Sequence, residues 1–220
     1  MGRAGRCFCI VLICLAVLNP AVSSAASSLA VQGFYEAAFQ GEYGDTARAA
    51  TIRWMQPIVI HVKGEYTRAD VGTVAALIFD LSENVPDLPQ MMLTAKPLGA
   101  NVTISFVPYD KMEEAVSGYQ KGNVGFVWVN YDNYEVTGAQ IAISSTISSQ
   151  KSRSAVIREE IVNMLGLLND ITCTKRSIIC QHGKTVTDLT AIDYEMLSIL
   201  YSPSMLPGTT IERAREILGK

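Results

Sequence analysis

The chain has 220 residues, 49% of them hydrophobic and 18% charged, enough for a buried core and far from the composition of a disordered protein. A net charge of −3 and a pI near 5.4 exclude a general nucleic-acid binder, because neutralising phosphates needs a basic face. The mean hydropathy of +0.21 is high, and the first residues account for much of it.

Residues 1–25 carry Arg3 and Arg6, an apolar run from Cys7 to Leu18, a break at Asn19-Pro20 and small residues up to Ala25. This is the pattern of a secretory signal peptide, and the run is too short for the roughly 20 residues of a bilayer span. Without Arg3 and Arg6 the 18 basic residues fall to 16 against 21 acidic ones, a charge of −5. The expected product is therefore secreted or periplasmic, with no stable membrane span once the signal is cleaved. Cys7, Cys9 and Cys14 leave with the signal, and an exported chain keeping only Cys173 and Cys180 is expected to join them in a disulfide. Their spacing exceeds that of common zinc thiolate pairs.

Residues 26–51 read as an N-terminal helical extension on the surface, with Leu29, Phe34, Tyr35 and Phe39 as packing contacts. Residues 52–220 read as a single domain. Ile52–Val62 is β-branched and apolar, a strand. In 67–81, Val71, Val74, Leu77, Ile78 and Leu81 recur at intervals of three and four, one face of a helix opened by Thr67 and Asp70. Asn101–Val107 alternates as a half-buried strand, and its Asn101-Val102-Thr103 triplet reads as strand rather than glycosylation site. A short helix or turn follows over 110–121, then strands over 125–130 and 135–144 joined by a turn at 131–134. Helices are expected over 153–168, 189–201 and 210–218. The order implies an α+β fold with a mixed, twisted sheet.

The chemistry concentrates on the 153–168 helix. Ile157, Ile161, Met164, Leu165 and Leu168 share the core face. Glu159, Glu160 and Asn163 share another flank, with Asn163 about 40° from Glu159 and about 60° from Glu160. Val156 and Leu167 project the same way and would partly desolvate the carboxylates. On this helix alone a solvated flank is the simpler reading.

The segment Arg158-Glu-Glu-Ile-Val-Asn-Met-Leu-Gly-Leu-Leu-Asn-Asp170, followed by Ser177-Ile178-Ile179 and by LTAIDYEMLSILY (189–201), resembles the catalytic half of the zincin metallopeptidases, especially the metzincins. Those carry HExxHxxGxxH, a Met-containing turn and a helix opening Leu-Thr-x-x-Asp. On that resemblance Glu160 matches the general base, Gly166 the motif glycine, Ser177 the turn and Asp193 the helix-opening aspartate. Glu159, Asn163 and Asn169 occupy the three histidine positions, and Ile179 that of the methionine. This altered form is similar to an uncharacterised family of secreted bacterial proteins with a zincin-like fold.

The resemblance implies a zincin-like protein with an active-site-type helix and C-terminal helices, lacking conventional zinc peptidase activity. Its only histidines are His61 and His182, neither at helical spacing from Glu160. Glu159, Asn163, Asn169 and Asp170 offer only oxygen, which suits Ca or Mg better than zinc; equally, they can form a metal-free polar network. The expected partner is a peptide, a protein or a cell-envelope component in the former cleft. The alternative is an active metal-dependent hydrolase with an oxygen-rich site and Glu160 as general base.

Overall fold

The computed structural model describes residues 26–41, 48–172, 176–180 and 186–219. The expected signal segment, Cys173 and His182 lie outside the described residues.

The chain opens with helix α1 (Ser28–Phe39), capped by Ser27, whose side chain accepts from the Ala30 amide. This helix is not a surface appendage: Ala30, Val31, Phe34, Ala37, Ala38 and Phe39 are all buried in the main core, while Leu29 is exposed. Its small residues permit close approach to α5 (Ala191–Tyr201), where Gly33 faces Met196 so tightly that a Cβ would stand 2.7 Å from the sulfur.

The single strand expected over 52–62 is two, β1 (Arg53–Trp54) and β2 (Ile58–Gly64), interrupted at Met55-Gln56-Pro57. Proline cannot donate to a ladder and breaks the run. Helix α2 (Arg68–Asn84) starts where the sequence indicates, on a reciprocal capping box between Thr67 and Asp70. Strand β3 (Met91–Thr94) has no counterpart among the sequence expectations. After β4 (Val102–Val107) come a short 3-10 turn and the one-turn helix α3 (Met112–Ala115). Strands β5 (Gly125–Asp132) and β6 (Glu135–Ser144) form a hairpin whose turn is only Asn133-Tyr134, both at positive φ (48° and 67°). Two such residues match the twist of the flanking strands. Helices α4 (Gln150–Met164), α5 and α6 (Ile211–Leu218) complete the fold.

The sheet is mixed, as expected, but mainly parallel. Its order is β3-β2-β4-β6, with β1 beside the start of β6; these contacts are parallel, and β5 runs antiparallel along β6. The β2-α2-β3 crossover interleaves helix and strand, so the strands and helices are less segregated than an α+β reading implies. The pleat puts Ile60, Val102, Ile104, Phe106, Ile141 and Ile143 into the core with the apolar faces of α1, α2, α4 and α5. His61, Lys63, Thr103, Ser105 and Gln140 alternate with them and belong to the opposite face. Among the described residues no helix is long and apolar enough to cross a membrane.

Candidate functional site

Helix α4 carries Glu159, Glu160 and Asn163, the residues singled out in the sequence. It begins at Ser149, whose hydroxyl accepts from the Ser152 amide at 3.2 Å, and ends at Met164, four residues short of the sequence expectation. Gly166 explains the early stop. It has φ +116°, and a Cβ there would lie 2.3 Å from the Ile52 carbonyl oxygen and 3.1 Å from Leu200. The chain turns out of the helix against β1 and α5, a route open only to glycine. The last carbonyls of α4 are satisfied by side chains: Trp54 Nε1 donates to Met164 at 3.0 Å and the Tyr201 hydroxyl to Leu165 at 2.9 Å.

Glu159, Glu160 and Asn163 are 6%, 7% and 8% exposed, so their flank is buried rather than solvated. Strand β5 covers it. A Cβ on Gly125 would stand 2.3 Å from Val156 Cγ1 and 2.6 Å from Glu160 Oε1, so the strand comes down onto the helix at the one place where it lacks a side chain. Asn163 Oδ1 is buried with no hydrogen-bond donor. It is one of four buried side-chain polar atoms without a hydrogen-bond partner among the described residues, the others being Tyr35 Oη, Arg53 Nε and Arg153 Nε.

Asn169, which the resemblance matches to the third histidine, is otherwise engaged. Its Nδ2 donates to the Glu36 carbonyl at 3.2 Å and the Asp170 carbonyl at 2.8 Å, and its backbone amide donates to Ala37. It ties the segment after α4 to the C-terminal turn of α1. Nearby, the Glu36 carboxylate accepts from the Thr172 amide at 2.9 Å and from Gln32 at 2.9 Å. Among the described residues no three His, Cys, Asp or Glu side chains are grouped so as to hold a metal ion. His61 lies on β2 with Nδ1 3.3 Å from the Thr94 carbonyl oxygen, on the opposite sheet face from α4.

Asp193 organises the turn that follows. Its carboxylate accepts from Ser177 Oγ at 2.6 Å, from the Ile178 amide at 3.2 Å, and from the Thr190 amide and hydroxyl at 2.7 and 2.9 Å. Burial pushes its carboxyl above the ordinary aspartate value, the four donors only partly opposing it. Ile179 is buried beneath, and its carbonyl accepts from Ile171 at 2.9 Å. Cys180 is buried and bridges Ile171 in parallel register; its expected partner Cys173 is outside the described residues.

Three supporting groups have roles between elements that sequence reasoning missed. Asp70, fully buried, caps α2 and also accepts from Gln150 Nε2 at 2.9 Å, while Arg153 Nε lies 3.2 Å away, close enough for an ion pair though too poorly aligned for a hydrogen bond. Arg153 also donates to the Ser145 carbonyl, so it ties α4 both to α2 and to the end of β6. Arg53 donates to the carbonyls of Leu200, Ser202 and Met205 at 2.8–3.0 Å and stacks over the Tyr201 ring at 4.8 Å. The only hint of Asp70 is its Thr67-x-x-Asp box; nothing local marks Arg53.

With this geometry in view, residues 27–220 match the family described as protein of unknown function (DUF2927). The chain belongs to the DUF2927 family. The match takes in α1, in keeping with its burial. No curated protein matches the chain. Among solved structures, one of myroilysin is similar at 11% identity and a TM-score of 0.44, covering 68% of this chain and 95% of that one. A second, also of myroilysin, is similar at 12% identity and a TM-score of 0.34, covering 64% of this chain and 59% of that one. The chain itself is a mixed α/β arrangement with a mainly parallel sheet, and its likeness to these structures is distant.

Proposed function

We propose that this DUF2927 protein is a secreted or periplasmic zincin-like protein that does not work as a conventional zinc peptidase and instead binds an extended peptide segment, from a protein or an envelope component, beside α4. The observation that carries the reading is the edge strand β5 descending at Gly125 onto the buried Glu160. Among the described residues β5 pairs only with β6, so its other edge can accept a strand through main-chain hydrogen bonds. Exposed Trp128 and Tyr131 on the same strand supply side-chain contacts. Cleavage of residues 1–25 and a Cys173–Cys180 disulfide belong to the same proposal, the bridge closing the loop beneath the motif; intact-mass measurement with and without reduction reads both.

The test is metal analysis and peptide binding on one preparation. Binding to a library of extended peptides without stoichiometric zinc is expected, with loss of binding in Gly125→Val, whose side chain would be driven into Glu160 and Val156. One tightly held zinc per chain, lost in Glu159→Ala or Asn163→Ala, overturns the reading.

One observation favours the alternative of a metal-dependent hydrolase: Asn163 Oδ1, on the helix flank it shares with Glu159 and Glu160, is buried without a hydrogen-bond donor, and oxygen is the donor that Ca or Mg accepts. It predicts chelator-sensitive peptide cleavage that disappears in Glu160→Gln.

A further inference from the structure

We infer that the DUF2927 fold carries a second, separate binding site for a small zwitterion of the amino-acid class, on the sheet face turned away from α4. A cavity of about 360 Å³ lies there between the sheet and the segment holding α3, in the lower part of the range of small-molecule sites, about 300–1,000 Å³. Lys63 on β2, Thr103 and Ser105 on β4 and Gln140 on β6 line its sheet side, and Glu113 on α3 lines the other. Its wall is held in place, because Met112 and Val116 are buried against Ala142.

The donors and acceptors are sorted by side. Ser105 is only 2% exposed, lines the cavity, and makes no side-chain hydrogen bond among the described residues. Gln140 Oε1 already accepts from the Ser117 amide at 3.1 Å and its hydroxyl at 3.2 Å, which fixes the amide and leaves its NH₂ as a donor. With the Lys63 ammonium, these make a donor-rich sheet floor suited to a carboxylate. Opposite, Glu113 supplies a carboxylate suited to an ammonium, whereas its neighbour Glu114 is taken by Lys111 at 2.8 Å. Among the described residues neither Lys63 nor Glu113 has an ion-pair partner, so the two charges face one cavity without neutralising each other. A molecule bearing both a carboxylate and an amine completes both.

Titration of the purified protein with L-alanine, L-glutamate and diglycine, followed by calorimetry and by the amide shifts of Ser105, Ser117 and Gln140, tests this. Acetate and methylammonium serve as half-ligands. Saturable binding of at least one zwitterion is expected, weakened about tenfold or more by Lys63→Met, by Glu113→Gln and by Ser105→Ala, with each half-ligand much weaker. Glu160→Gln should leave it unchanged, which separates this site from the hydrolase alternative. The inference is overturned by absence of saturable shifts with every zwitterion, by acetate binding as tightly as the amino acids, or by binding that survives Lys63→Met and Glu113→Gln.

Discussion

Two glycines do different work at the motif. Gly166 holds a backbone conformation closed to other residues and presses on the Ile52 carbonyl, so Gly166→Ala is expected to cost about 3 kcal/mol or more in denaturant unfolding. Gly72 is a useful contrast: it is exposed on α2, and a methyl added there would meet nothing within 4 Å, so Gly72→Ala should stabilise by about 0.5–1 kcal/mol. Gly125 acts by absence, since its missing side chain lets a strand lie on a buried carboxylate. The burial of Glu159, Glu160 and Asn163 is the site property least legible in the sequence. Helical spacing places three polar heads together, but what lies over them is β5, some thirty residues earlier and on another element. Gly166 and Asp193 were marked in the sequence by the resemblance, and the structure gives each a local constraint, a reversal of the chain and a capping box.

At the scale of elements, buried aspartates join distant segments through the starts of helices. Asp70 caps α2 and reaches Gln150 and Arg153 of α4; Asp193 caps α5 and gathers Ser177 and Ile178. Removing Asp193 strips four donors of their acceptor. Asp193→Ala is therefore expected to cost about 3 kcal/mol in equilibrium unfolding, more than the roughly 1 kcal/mol of an ordinary cap, and to expose the 177–179 turn to hydrogen exchange. Strong periodicity made α2 and the strand of 101–107 readable. Strand β3 was not, because Met-Met-Leu-Thr neither alternates nor carries β-branched residues until its end. Helix α1 misled for a related reason: alanines dominate its buried face, and small residues pack closely while adding little to an apolar pattern.

For the molecule as a whole, Tyr201 is a pivot. It is fully buried, donates to Leu165 at the end of α4, lies beside Trp54 of β1 and sits under the Arg53 guanidinium. Burial raises its phenol well above the ordinary 10.0. A group whose pKa is raised on folding contributes fully below its unfolded value and loses that contribution as pH rises through the folded one. Stability should accordingly fall as pH passes about 10, with Tyr201 forming tyrosinate only as the chain unfolds. Tyr201→Phe should flatten that fall while lowering stability at neutral pH. Denaturant midpoints and tyrosinate absorbance followed together through the alkaline range check both.

The reach of Arg53 has a consequence in time. Its guanidinium closes on carbonyls up to 152 positions further along the chain, and the Thr51 amide likewise donates to Thr209. β1 cannot take its final place until residues 200–209 have been synthesised. Closure between segments so far apart in sequence is a late step of folding, and the contacts of β1 with the 200–209 segment should be among the last to form.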